Sequence, residues 1–228
     1  MAPFDPSSDP PPASLDADLP DGAARLALLH SPPRLRAPLA AMLALDGRFA
    51  RIAGQTSEVM LGQMRLAWWR DMLKASPQDR PHGDAVLDAI GRHWTGREAA
   101  LGELIDAWEV MVATEEMERA DIAAFARGRA APFAALADEQ GGAGAAEAAG
   151  MRWALADAVP RLSDADERAA FVEVALEQAD DRPRLPRALK GLAVLDALAL
   201  RALKRGGRPL MEGRGAAIAA MRAAILGR

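Results

Sequence analysis

The sequence predicts an all-α fold, a single helical domain of about nine helices behind a short leader. Three observations carry this. Half of the 228 residues are hydrophobic, and alanine and leucine, both good helix formers, dominate them. Apolar residues recur at three- and four-residue spacing through most of the chain, with few of the β-branched runs that suggest strands. The breaks between these segments hold proline, glycine or a capping Ser, Thr or Asp, which is the punctuation of helices. A chain of this length can bury a substantial core in one domain.

The opening 22 residues, MAPFDPSSDPPPASLDADLPDG, hold six prolines and five aspartates, with no basic residue before Arg25. That composition predicts a disordered leader, residues 1–22, followed by a helical domain over 23–228. The first helix spans Gly22–Leu29 and stops at Ser31-Pro32-Pro33. The second runs from Arg36 to Ala53, where Gly54 supplies the break. Thr56 or Ser57 caps the third, which reaches about Ala75 before Ser76-Pro77. Asp84–His93 is a short helix and Glu98–Arg119 a long one. Another runs from Asp121 to about Glu139. GGAGAAEAAG reads as a loose glycine-rich joint before Met151–Val159. Ser163 or Asp164 caps the next helix, and Arg182-Pro183-Arg184-Leu185-Pro186 separates it from Ala188–Arg205. Gly206-Gly207-Arg208-Pro209 makes a turn, and Gly215–Leu226 closes the chain.

Composition excludes several classes of function. With no cysteine there are no disulfides or thiolate metal sites, and His30, His82 and His93 are too scattered to suggest a metal cluster. The leader lacks the basic start and apolar run of a signal peptide, and no apolar window is long enough to span a bilayer. A cytoplasmic protein is therefore expected. No P-loop, G-x-G-x-x-G, G-x-S-x-G or H-E-x-x-H motif occurs. The net charge of −4 hides an asymmetry: from Arg182 to Arg228 there are eleven Lys or Arg against two acids. A basic end of this kind either packs on the acidic remainder or attracts an anionic surface at the inner face of a membrane. Little aromatic interleaving and no helix-turn-helix spacing accompany these arginines, so no nucleic acid is expected.

The most unusual stretch is Leu61–Leu73, LGQMRLAWWRDML, with adjacent tryptophans between arginines. On a helical wheel Leu61, Met64, Trp68 and Met72 share one arc, which Leu66, Trp69 and Leu73 extend, leaving Gln63 and Arg70 opposite. More than half the circumference is apolar, which predicts a central helix. Arg65 falls inside the apolar arc, where a permanent cation needs a carboxylate, a phosphate or a route to water. One reading is an ion pair with an inward acid, for which Glu115 on Leu101–Glu116 is the candidate, or a stem that snorkels past a tryptophan. The other is an anion site in a pocket wall built from Met64, Arg65, Trp68 and Trp69. Glu173, Glu177, Asp180 and Asp181 share a polar helix face, and Asp106 and Glu109 sit at or beyond the edge of an apolar arc. Neither group has the look of a magnesium cage.

TSEVMLGQMRLAWWRDML resembles the helix that follows the first aspartate-rich motif of the squalene/phytoene synthase family. LGELIDAWE is similar to that family's L-x-x-L-I-D-x-x-E segment. DIAAFARGRAAPFAAL (residues 121–136) resembles its D-x-x-x-Y-x-x-G-T-A-G stretch, with Phe125 where tyrosine is usual. The likeness covers most of Arg25–Arg228. It implies an isoprenoid-synthase-like helical bundle around a central apolar pocket, in which two aspartate motifs hold magnesium while two prenyl diphosphates are joined. Here both motifs are missing. Within AMLALDGRFARIAG, Ala50, Arg51 and Gly54 stand at the positions of D-D-x-x-D. Within GMRWALADAVPR, Asp157, Pro160 and Arg161 stand where N-x-x-R-D is expected.

The resemblance thus implies a member closest in character to the non-catalytic branch that contains assembly factors for respiratory complex I. No catalytic or metal-binding residue and no cofactor is expected. The ligand-binding candidates are Met64, Arg65, Trp68, Trp69 and Glu115. The expected partners are an isoprenoid or other lipid, an assembly partner protein, and an anionic membrane surface. The alternative is a divergent prenyltransferase using magnesium on other carboxylates.

Overall fold

The computed structural model describes residues 15–19, 22–55, 58–138, 141–177 and 184–226. Among these are ten α-helices: α1 (Gly22–His30), α2 (Pro33–Gln55), α3 (Val59–Lys74), α4 (Ala85–His93), α5 (Glu98–Ala113), α6 (Arg119–Ala137), α7 (Ala143–Ala158), α8 (Ala165–Glu177), α9 (Lys190–Leu203) and α10 (Gly215–Leu226). The all-α expectation holds, with no strand among the described residues.

The helices pack as a series. α3 lies on α5, α5 on α6, α6 on α7, α7 on α9 and α9 on α10. α1 covers another side of α9, and α2 runs against α4, α5 and α6. Alanine and glycine permit the tight approach of α6 and α7: a Cβ on Gly150 would lie 2.9 Å from that of Ala130. The interior is a single connected set of apolar side chains reaching from Ala23 to Ala224.

Local chemistry sets several boundaries. Pro33 opens α2 at its first turn, where its missing N–H costs nothing. The Asp84 carboxylate accepts the backbone N–H groups of Val86 and Leu87 at 2.9 and 3.0 Å, fixing the start of α4. Asp164 accepts the N–H of Glu167 at 2.8 Å in the same way at α8. The expected cap at Thr56 or Ser57 lies outside the described residues.

Several boundaries differ from the sequence reading: α2 starts at Pro33 instead of Arg36, and Gly54, expected as its break, lies within the helix, which runs to Gln55. α5 does not continue to Arg119. It ends at Ala113, Thr114 turns extended, and the Glu118 N–H donates to the Asp121 carboxylate at 3.1 Å to open α6. Of the expected glycine-rich joint only Gly141 and Gly142 form a turn, and the rest is the first two turns of α7, because Ala146, Ala149 and Gly150 are buried. Burial of small side chains against a neighbour outweighs glycine's poor helix propensity there. The leader is also not wholly free. Leu15–Ala17 forms a 3-10 turn against α2, and Asp18 pairs with Arg51 and, at 2.8 Å, with Arg48. The rest of the leader reading, over 1–14 and 20–21, lies outside the described residues.

Candidate functional site

Helix α3 turns a different face inward from the one its wheel suggested. Gly62, Leu66, Trp69 and Leu73 are buried, and Trp69 meets Phe49 of α2 edge-on at 5.8 Å between ring centres. The arc expected to line a pocket looks outward: Met64 is 63% exposed and Trp68 43%. Val59, Met60 and Leu61 are exposed beside them. A helix apolar around more than half its circumference leaves the choice of face to its neighbours, and α5 decided it.

Arg65 is exposed, and so is Glu115, each with water to solvate its charge. The arginine that ties α3 to α5 is instead Arg70, read as a surface residue. It pairs with Asp106 and, through Nη1, with Glu109 at 2.6 Å. Of the five candidate residues only Trp69 is inside, as packing. Its partner Trp68 lies against it edge-to-face at 5.2 Å, capping the core from the surface. Glu173 and Glu177 form exposed ion pairs with Arg119. Asp180 and Asp181 lie outside the described residues.

The chemically notable centre lies elsewhere, between α2, α6 and α7. Arg129 of α6 is fully buried. Its Nε and Nη2 donate to the two oxygens of Asp46 on α2, at 2.9 and 2.6 Å. Nη2 also donates to Asp157 of α7 at 2.9 Å, and Nη1 to the Ala154 carbonyl at 2.7 Å. Trp108 donates its indole N–H to Asp46 at 2.9 Å. The guanidinium carbon sits 4.6 Å from the ring centre of Trp153, 4.9 Å from Trp108 and 5.3 Å from Phe125. A bidentate fork on one carboxylate, a second carboxylate and an aromatic box together satisfy a charge that burial alone would make intolerable. From the outside, Arg161 adds a 2.6 Å bond to Asp157. A second buried pair, Arg152 with Asp196 at 2.6 Å, joins α7 to α9.

The arrangement bears directly on magnesium chemistry. Asp46 and Asp157 come from the two helices whose sequences, by resemblance, would carry the metal motifs. Each already serves Arg129. Among the described residues no three His, Asp or Glu side chains are grouped as a metal site. Between these helices the Arg129 guanidinium lies against three aromatic rings. Comparison of the chain with models of protein families, with curated proteins and with solved structures finds no match.

The network sets a pH dependence. Burial opposes ionisation of Asp157, but the Arg129 and Arg161 charges outweigh it and hold the carboxyl below the usual carboxylate range. Asp84 is lowered too, burial again being outweighed, here by Arg48 and the N–H groups at the start of α4. A depressed carboxyl binds fewer protons folded than unfolded below its ordinary pKa of about 4, so stability falls as the pH drops through that region. The urea midpoint should therefore hold between neutrality and about pH 5 and fall steeply below it. Asp157→Asn should flatten that fall. An Asn variant with an unchanged acid slope would show that this pair does not govern it.

Proposed function

We propose that the chain is a non-catalytic helical scaffold, squalene/phytoene-synthase-like by resemblance, which docks a partner protein on the exposed face of α3. The observation that carries the first half is Arg129. Where a synthase of the resembled kind would bring carboxylates from two helices onto magnesium, here one carboxylate from each of two helices grips a permanent internal cation. Releasing either to a metal would strand a buried guanidinium, at a cost of several kcal/mol.

The second half rests on α3. Met60, Leu61, Met64 and Trp68 form an exposed apolar stripe with Arg65 among them. Methionine and tryptophan on a surface suit protein recognition, because one adapts its shape and the other supplies large rigid area. The exposed charges of α3 and its start are of mixed sign, Glu58, Arg65, Asp71 and Lys74, which fits a protein better than an anionic lipid. The matching partner is an amphipathic helix with an apolar face and a carboxylate opposite Arg65. The resemblance to assembly factors makes a respiratory-complex subunit the partner class.

The catalytic half is tested with farnesyl and geranylgeranyl diphosphates plus magnesium. The expected result is no diphosphate release above buffer, and sustained turnover would overturn the reading. For the docking half, a photo-crosslinking residue at position 64 should give one discrete protein adduct. The same residue at the exposed position 92 should not. Trp68→Glu should abolish the adduct while leaving stability within about 1 kcal/mol, since Trp68 is only half covered. An adduct indifferent to Trp68→Glu would remove α3 as the docking face.

A further inference from the structure

Helix α10 is apolar on both faces, but the sizes are reversed from those of an ordinary surface helix. Ala216, Ala220, Ala223 and Ala224 are buried, and α10 packs on α9. Ile218, Met221 and Ile225 point away, at 61%, 62% and 73% exposure. At about 100° per residue these three fall within roughly 60° of one another, opposite the alanines. Scattered exposed apolar residues are ordinary; three large ones aligned on one helix are not.

Beside this stripe runs a basic groove. Lys190, Ala193, Ala197, Arg201 and Lys204 recur every three or four residues along one side of α9. At its beginning a cleft of about 680 Å³ is lined by Arg184, Arg187 and Lys190 and closed by Ile225. Farther along, a cleft of about 410 Å³ is lined by Arg201, Lys204, Arg205 and Arg222, with Ala219 at its edge. Ile225 therefore meets the start of α9 and Ala219 its later turns, so the two helices run antiparallel. Among the described residues no acidic side chain lines either cleft. Arg201 and Arg205 are partly occupied by Glu212, whose carbonyl accepts from each. Arg184, Arg187, Lys190, Lys204 and Arg222 have no carboxylate at ion-pair distance among the described residues.

We propose that α10 and its flanking groove form a docking surface for an anionic lipid bilayer. Ile218, Met221 and Ile225 enter the boundary between headgroups and acyl chains, while the groove cations surround lipid phosphates. The charge pattern selects this occupant. A second copy would set the same cations against themselves across a two-fold axis. A nucleic acid would use the cations, but among the described residues no aromatic ring lines either cleft for its bases, and the apolar stripe would be left in water. Among the described residues no helix is long and apolar enough to cross a membrane, so attachment of this kind lies on the surface. The surface belongs to the far end of the packing series from α3 and does not depend on the α3 reading.

The test is flotation of the full chain with vesicles made of equal parts phosphatidylcholine and phosphatidylglycerol. The expected result is binding that disappears with phosphatidylcholine alone and weakens with salt. Ile218→Ser, Met221→Ser and Ile225→Ser combined should lower partitioning at least about tenfold with unchanged circular dichroism and melting temperature, since these side chains touch little in the fold. Arg184→Gln, Arg187→Gln and Lys190→Gln combined should lower it roughly 100-fold, at about fivefold per cation. Three outcomes overturn the proposal. These are no binding by the unaltered chain, a serine variant that floats as well as the unaltered chain, and displacement from vesicles by a polyribonucleotide that the serine variant still binds.

Discussion

Arg129→Met should unfold the protein far more readily than any surface change, losing about 3–5 kcal/mol at neutral pH. The methionine fills much of the space and keeps the aromatic contacts, so little of the loss comes from packing. What remains is Asp46, buried, with the Trp108 indole N–H at 2.9 Å where it had a two-pronged guanidinium. Asp157 keeps Arg161. The decisive feature is the sign of the pH effect. With its cation gone, a buried carboxylate is relieved by taking up a proton, so the gap between variant and parent should narrow as the pH falls. The parent moves the other way, losing stability on acidification. Adding Asp46→Asn to Arg129→Met should recover part of the loss at neutral pH, because it removes the stranded charge. Urea titrations at neutral pH and near pH 5 measure all of this. A loss under about 1 kcal/mol, or a gap that widens in acid, would mean that the buried charges are not what holds α2, α6 and α7 together.

How much of this could be read from the chain depends on whether a position's environment is set by its own helix or by another. Boundaries fixed by local chemistry were legible: Asp84 and Asp164 stand at helix starts as expected, and Gly215–Leu226 is the last helix as read. The end of α5 was not, because Thr114 through Glu118 contains no glycine or proline and the stop is a side-chain bond made by Asp121. The start of α7 was misread for the opposite reason, since the turn is confined to Gly141 and Gly142, Gly144 lies within the helix and Gly150 serves packing against α6. The orientation of α3 could not follow from a wheel on which more than half the circumference is apolar.

Arg129 was within reach of the reasoning that singled out Arg65. Ile122, Phe125, Phe133 and Leu136 are buried along one stripe of α6, and Arg129 lies in the middle of it. Asp46 stands likewise between Met42 and Phe49 on α2. An inward cation on one helix and an inward acid on another is a stronger sign than a cation beside two tryptophans. That the three partners converge could come only from the fold.

Gly128→Ala should cost about 1–3 kcal/mol although alanine is the better helix former by about 1 kcal/mol. Gly128 sits where α6 crosses α5. A Cβ there would lie 2.4 Å from the Glu103 carbonyl oxygen and 2.7 Å from the Ala107 Cβ. The first of these is backbone and cannot rotate aside, so the helices must separate. The strain is coupled to the charge network, because the next residue of α6 is Arg129 and any outward shift lengthens its fork to Asp46. Losses from Gly128→Ala and Arg129→Met should therefore sum to more than the double variant shows. Gly102→Ala is the control. It also lies on a helix, α5, but a Cβ there meets nothing within 4 Å, so this change should stabilise by up to about 1 kcal/mol. Opposite signs from two identical substitutions would trace the difference to the α5–α6 approach. Equal effects in urea unfolding would mean that α6 has room to spare, and that Arg129 is held by its carboxylates without help from the packing beneath it.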